Sequence, residues 1–224
     1  MPNIFLTILV SKKHMGMGDA VGEPADAVSE AGLDGVSNML VLSPTMDEAA
    51  RAAYYERLLP DAIGSTDVLA IDYRQTPDQW MEEWKRRVGE RPRRCTIVSV
   101  DEATRSVSGK SNETTQRGPN TVTCLKSPTD LTGLGITISE YLADEGGEQT
   151  IVTFDSLTVL LQYVDLQRAF RFLHVLSNRV KTVDATAYYH MDPGAHDDKD
   201  VATLTSLFDA TAEFEDGSWS IHGR

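Results

Sequence analysis

The stretch that decides the fold is 150-TIVTFDSL-157, a short apolar run that ends in a polar pair. Residues 150–154 have the length and continuous hydrophobicity of a strand that is buried on both faces of a parallel sheet. A helical pattern begins directly after the pair Asp155-Ser156. The Asp155 carboxylate is therefore expected at the carboxyl end of a central strand, which is the edge where open α/β sheets bind their ligands.

The same alternation of apolar strands and helices continues on both sides of this stretch. The pattern predicts further strands at 38–42, 67–72, 95–100, 121–125 and 185–190. Helices are predicted at 47–59, 78–88, 130–142, 157–180 and 197–208. The segments 211–214 and 219–222 flank Asp216-Gly217, a typical hairpin turn. Together these elements predict an α/β fold of three layers, in which a mostly parallel central sheet ends in a C-terminal antiparallel hairpin.

Two regions do not follow this alternation of strands and helices. Residues 1–36 are predicted to be a poorly ordered lead-in, with translation starting at Met15 or Met17, and 37–224 form the domain. Residues 101–120 are polar and predict a long surface loop. The tetrapeptide Ser108-Gly109-Lys110-Ser111 in this loop resembles part of a phosphate loop. However, Thr104 stands where such a loop needs a glycine, and no helical pattern follows, so a polar loop is the better interpretation.

The composition of the chain indicates which kinds of partner are disfavoured and in which compartment the protein is expected. The chain has 224 residues and a formal net charge of −13, which disfavours binding to nucleic acids or anionic membranes. Of its 21 basic residues only 7 are Lys, a balance that suits a halophile cytosol; the alternative is an ordinary acidic mesophilic protein. Cys95 and Cys124 lie in apolar segments, as expected of thiols in a reducing, cytoplasmic protein. No apolar run is long enough for membrane insertion.

Asp155 has two interpretations. At the end of a central strand it could hold Mg²⁺ through the water shell of the ion, as a Walker-B carboxylate does. Alternatively, Asp155 or Ser156 could cap the helix that follows by accepting hydrogen bonds from its first N–H groups.

The sequence resembles a known superfamily at several of these positions. The order of elements, the strand end 155-DSLT-158, and the late strand with its terminal hairpin resemble the RecA/KaiC-like ATPase core. More narrowly, 170-FRFLHVL-176 and 192-DPGAHDD-198 resemble a haloarchaeal family of KaiC-like, transducer-associated proteins without assigned activity. The resemblance covers roughly residues 36–216. It implies a RecA-like fold and a cytoplasmic, signalling role.

The chain departs from that superfamily at the phosphate loop. The first strand is followed by 43-SPTMDE-48, which contains neither the glycines nor the lysine of GxxxxGK[ST]. Pro44 removes an N–H donor, and two carboxylates, Asp47 and Glu48, would face the phosphates. The resemblance then implies a degenerate P-loop in a non-hydrolysing regulatory or scaffolding module, with no catalytic residue assigned. Its partner is expected to be another protein or a second copy in a homo-oligomer.

Two enzymatic alternatives stay open. In the first, the chain is an atypical Mg-ATP-binding protein or weak ATPase that uses Ser43 and Thr45 at the phosphates and Asp155 and Ser156 at the metal. In the second, it is a metal-dependent hydrolase.

The hydrolase alternative rests on the segment 190–198, where imidazoles and carboxylates are concentrated. His190, Asp192 and His196 are residue types that bind divalent metals such as Zn²⁺ or Mn²⁺. The competing interpretation is a turn at Pro193-Gly194 followed by a capped helix start.

A cluster of positive charge interrupts the acidic sequence. Six of the 21 basic residues fall within ten positions: Lys85, Arg86, Arg87, Arg91, Arg93 and Arg94. They predict either a docking patch for an acidic or phosphate-bearing partner, or a helix end whose cations complement the terminal carbonyls. Further along, apolar residues recur at helical spacing between Leu157 and Leu176, which indicates a core helix or an interface helix.

The acidity of the chain generates a prediction about salt. Diluting KCl to low millimolar concentration should unfold the protein, because crowded carboxylates then lose their screening. Circular dichroism during the dilution would measure this. Full stability at low salt would contradict the halophile interpretation.

Overall fold

The computed structural model describes residues 35–45, 47–59, 62–100, 113–117, 120–125 and 127–224. Residues 1–34 of the expected lead-in 1–36, the two candidate starts and the Ser108–Ser111 tetrapeptide lie outside these residues. The described part contains a nine-stranded, mostly parallel sheet with helices on both faces. The predicted α/β fold with its terminal hairpin is confirmed.

The strands follow the chain in this order: β1 Asn38–Leu42, β2 Asp67–Asp72, β3 Arg94–Ser99, β4 Glu113–Arg117, β5 Asn120–Cys124, β6 Thr150–Asp155, β7 Thr186–Met191, β8 Ala210–Glu215 and β9 Ser218–Gly223. Across the sheet they are arranged β4-β5-β3-β2-β6-β7-β1-β8-β9. The two end strands, β4 and β9, are antiparallel to their neighbours, and the other pairs are parallel. The carboxyl ends of β1, β2, β6 and β7 therefore meet at one edge.

The helices are α1 Glu48–Arg57, α2 Pro77–Arg87, α3 Leu131–Glu145, α4 Leu157–Tyr163, α5 Leu166–Thr182 and α6 Asp198–Thr205. The predicted single helix over 157–180 is two helices, because Val164 leaves the helical conformation and Asp165 caps α5 by accepting from Arg168 N. The predicted loop at 101–120 was also wrong in part. Residues Glu113–Arg117 form β4, whose polar sequence is tolerated at an edge with little to bury.

Two cores lie on opposite faces of the sheet. One packs α3, α4, α5 and α6 against residues such as Leu40, Leu69 and Phe154. The other packs α1 and α2 against the reverse face through Tyr54 and Trp84. Each strand of the sheet's centre is therefore covered on both sides, which explains why apolar residues occur on both faces of these strands rather than only at alternate positions.

Several local signals behave as the sequence predicts. Asp216 and Gly217 both have positive φ, as the hairpin turn between β8 and β9 requires. Cys95 is buried, Cys124 is half-buried, and both are free thiols. Within the described ranges, no helix combines the length and hydrophobicity needed to cross a membrane.

Candidate functional site

A small cavity opens at the carboxyl edge of the sheet, between α1 and α2. It encloses about 50 Å³, and its walls are formed by the ends of β1, β6 and β7 with the facing sides of the two helices. The fold brings together here residues that the sequence predicted separately for nucleotide and metal sites: Ser43, Thr45, Asp155, Ser156, His190 and Asp192. His196 does not line it. The cavity lies where an open α/β sheet is expected to bind ligands.

Asp155 is the centre of this site, and both of its carboxylate oxygens face arginines. Arg51 Nη2 donates to Asp155 Oδ2 at 2.7 Å, and Arg74 Nε lies 2.8 Å from Oδ1. Burial alone would raise the pKa of Asp155, but Arg74, followed by His190 and Arg51, outweighs the effect of burial, so the pKa falls below its ordinary value. Asp155 is therefore ionised and already neutralised by this chain's own cations.

The network extends from Arg51 into α2. Arg51 Nε donates to Glu83, and Gln75 Nε2 donates to the other oxygen of the same carboxylate at 2.6 Å. Burial opposes the charge on Arg51, yet pairing with Asp155 and Glu83 raises its pKa above the ordinary value. Arg51 thus links α1, α2 and β6 through charge-assisted hydrogen bonds, which are the stronger class of hydrogen bond.

Several of the described N–H groups between β1 and the first turn of α1 are occupied from within the chain. Asp47 caps α1 and accepts from Ala49 N and Ala50 N, each at 2.9 Å. Asp192 accepts from Thr45 N at 2.7 Å. Ser43 N donates to the Met191 carbonyl. In a phosphate loop such groups point at the ligand, whereas here protein carboxylates and a carbonyl accept them.

Two ionisable groups beside Asp155 have shifted pKa values. Burial lowers the pKa of His190 to about 4, so the imidazole is neutral at pH 7, and its ring packs edge-on against Tyr54. Burial, followed by repulsion from Asp155, raises the pKa of Asp72 to about 7. Asp72 Oδ1 accepts from Arg74 N and Gln75 N, while Oδ2 has no hydrogen-bond partner.

The predicted metal ligands are not assembled into a binding site. His190 lies on β7, and Asp192 caps the short turn Pro193–Ala195 by accepting from Gly194 N. Among the residues that the structure describes, no group of three or more His, Cys, Asp or Glu side chains is arranged to hold a metal ion. Ser156 likewise acts as a helix cap, because its hydroxyl accepts from Val159 N at the start of α4. The peptide bond between Asp155 and Ser156 is cis.

The basic cluster is partly internal to the fold. Arg93 and Arg94 both pair with Asp67, a buried carboxylate at the amino end of β2. Arg87 pairs with Glu48. These three arginines therefore have structural partners. Of the other three, Arg86 lies 3.9 Å from Glu48 and is exposed, and Lys85 and Arg91 are exposed as well. A docking role for the cluster stays a prediction.

Sequence reasoning missed the residues that neutralise Asp155. Arg74 had a usable signal, since β2 ends in Asp72-Tyr73-Arg74 just as β6 ends in Asp155-Ser156, and parallel neighbours end at the same edge. Arg51 and Glu83 had none. They lie inside helices 104 and 72 positions from Asp155, and only the packing of α1 against α2 brings Arg51 to Asp155 and Glu83 to Arg51.

Comparison with known proteins places the chain in a family. Residues 36–214 match the sequence profile of DUF7504, described as a family of unknown function, and the chain belongs to that family. No curated protein matches the chain.

A solved structure from Pyrococcus horikoshii OT3, titled as a structural study, resembles the chain at a TM-score of 0.51. The two chains are 14% identical over 84% of this chain and 85% of the other. At that identity the similarity concerns the fold alone.

The opposite pKa shifts of His190 and Asp72 generate a prediction about pH. Native His190 stays neutral down to about pH 4, whereas the unfolded residue binds a proton below about 6.5, so the His190 contribution to stability is lost as pH falls. His190→Asn should remove about 2 kcal/mol of the loss of stability between pH 7 and 4.5.

Native Asp72 keeps its proton up to about pH 7, so its contribution to stability is lost as pH rises. Asp72→Asn should remove the loss of stability that Asp72 causes as the pH rises.

Urea unfolding of both variants at several pH values measures these slopes. The control is His222→Asn, the same substitution at an exposed histidine of β9 that does not line the Asp155 site. Equal pH dependence in wild type and both variants would contradict the assigned protonation states.

Proposed function

We propose that this protein is a non-hydrolysing, RecA/KaiC-like regulatory or scaffolding module that acts through protein contacts. One observation carries the proposal: at the edge where a nucleotide would bind, the groups that would hold its phosphates and metal are bonded to other residues of the chain. Asp155 pairs with Arg51 and Arg74, and the turn amides are bonded to Asp47 and Asp192.

Charge disfavours the alternative in which the chain binds Mg-ATP. A divalent cation at Asp155 would have to displace two guanidiniums that already neutralise it. Phosphates at the turn would meet the carboxylates of Asp47 and Asp192, and like charges at close range oppose binding.

Space disfavours it as well. The cavity of about 50 Å³ is far smaller than the roughly 300–1,000 Å³ of ordinary small-molecule sites.

No observation on the described residues favours the metal-dependent hydrolase, whose three ligands are not assembled. A regulatory module, by contrast, needs only a stable fold and surfaces for partners. The internal ion pairs at Asp155 help to stabilise the fold.

Thermal unfolding in multimolar KCl, with and without millimolar Mg-ATP, tests the proposal. We expect no shift of the midpoint. A ligand at about 100 times its Kd would stabilise the fold by about 2.7 kcal/mol, which corresponds to roughly 5–11 °C for this length. Asp155→Asn should destabilise the protein by about 2 kcal/mol without ligand, because it leaves buried arginine charge less well paired.

Asp165→Asn is the matched control. Asp165 caps α5, and Asn caps helices as well as Asp, so this variant removes one carboxylate at little cost. A midpoint shift with Mg-ATP in the wild type that Asp155→Asn abolishes would contradict the proposal and favour the ATP-binding alternative.

A further inference from the structure

A second, larger concavity lies on the opposite face of the sheet, between α3 and α5. This groove has a volume of about 890 Å³ and shares no residue with the Asp155 site. Phe172 lines the groove, and its ring lies close to Gly135. A Cβ atom added to Gly135 would lie 3.7 Å from this ring, which is ordinary van der Waals contact. The groove walls carry Ile136 from α3 and Val175 from α5, which are 54% and 67% exposed.

These exposed side chains are unusual in the described part of the chain. Only three large hydrophobic residues there are exposed: Ile136, Tyr163 and Val175. Two of the three face the same groove. Single exposed apolar residues are normal, whereas a pair aligned across a concave surface is typical of a binding site.

The rim of the groove is mainly cationic, because three arginines line it against one carboxylate, Glu140. Arg168, Arg171 and Arg179 follow one another along α5, and none of the three is in an ion pair within the described residues. Arg171 Nε donates only to the carbonyl of Gln167. Elsewhere in the described part, Arg51, Arg74 and Arg93, among other cations, have carboxylate partners. On a chain of net charge −13, three guanidiniums that have no carboxylate partner among the described residues make this rim complementary to carboxylates.

We propose that the groove between α3 and α5 binds an acidic amphipathic helix of another protein. The inference rests on the proposed function and names the surface and partner chemistry through which it operates. Apolar side chains of the partner pack on Ile136 and Val175, and its flanking carboxylates pair with the α5 arginines. From Arg168 to Thr182 the wall is about 21 Å long at 1.5 Å per residue, enough for a helix of about four turns. The geometry is the helix-in-groove mode of recognition.

A second copy of the chain fits the groove less well. Packing groove against groove would bring Arg168, Arg171 and Arg179 of both copies face to face, which is repulsive. Insertion of a different surface needs an exposed apolar helix face. In the described residues the one remaining exposed large apolar side chain is Tyr163, at the end of the short α4.

The test uses the full chain and three synthetic 15-residue helical peptides. The probe peptide carries Leu at positions 1, 4, 8, 11 and 15 and a mixture of Glu and Ala elsewhere. A second peptide replaces its Glu with Lys, and a third replaces its Leu with Gln. Fluorescence anisotropy in defined KCl should show binding of the probe peptide and at least tenfold weaker binding of the other two.

The protein variant for the test is Arg168→Glu/Arg171→Glu, with Lys199→Glu as the control on α6, where Lys199 is exposed and away from the groove. Circular dichroism confirms that each is folded. The double variant should weaken binding of the probe peptide at least tenfold, and the control should not. Val175→Ser should also weaken it, which separates apolar contact from charge attraction alone.

Three results would overturn the inference: no binding of the probe peptide, equal binding of the lysine peptide, or equal binding by the double variant. Photo-crosslinks from residue 175 to the same chain's residues 15–34, or to a second copy, would also overturn it. The Mg-ATP measurement is independent. A flat Mg-ATP result with no peptide binding refutes the groove alone, whereas an ATP shift with peptide binding refutes the non-nucleotide module alone.

Discussion

The ion pairs of Asp155 with Arg51 and Arg74 are the interaction on which the rest of the site depends. They join the end of β6 to α1 and to the segment after β2, and through Glu83 they reach α2. A buried carboxylate without such partners would be protonated or would require a bound cation. Because the partners here are arginines of the same chain, the sheet edge is neutralised without a ligand.

This arrangement explains the environment of the neighbouring groups. Burial, and then the charge on Asp155, raise the pKa of Asp72 to about 7, so that Asp72 keeps its proton below neutral pH instead of adding a second buried charge. His190 is kept neutral by burial. The turn after β1 is likewise paired within the chain. Asp47 and Asp192 accept hydrogen bonds from N–H groups that could otherwise donate to a phosphate. The charges of Asp155 and the N–H groups accepted by Asp47 and Asp192 are thus paired within the chain, whereas Asp72 Oδ2 has no hydrogen-bond partner. The α5 arginines that line the groove have no ion-pair partner among the described residues, and they lie on the opposite face of the sheet.

The sequence was sufficient for most of the fold and for only part of the site. β1 and β2 were predicted with the bounds that the structure has, because continuous apolar runs between turns leave few alternatives. The break at Val164 was missed, since apolar spacing continues across it, and β4 was missed because an edge strand needs little hydrophobicity. At the site, position at a strand end pointed to Asp155, which lies in the cavity at the carboxyl edge of the sheet. Its partner Arg51 could not be found, because no local pattern encodes a contact between residues 104 positions apart.

We infer that arginines of this chain, rather than a metal or a nucleotide, neutralise Asp155. A crystal structure of the full chain grown in multimolar KCl with millimolar Mg-ATP would test this inference. We expect Arg51 and Arg74 to contact Asp155 as described, with no nucleotide at the turn after β1. Density for Mg²⁺ within coordination distance of Asp155, with both guanidiniums displaced towards phosphate, would contradict it.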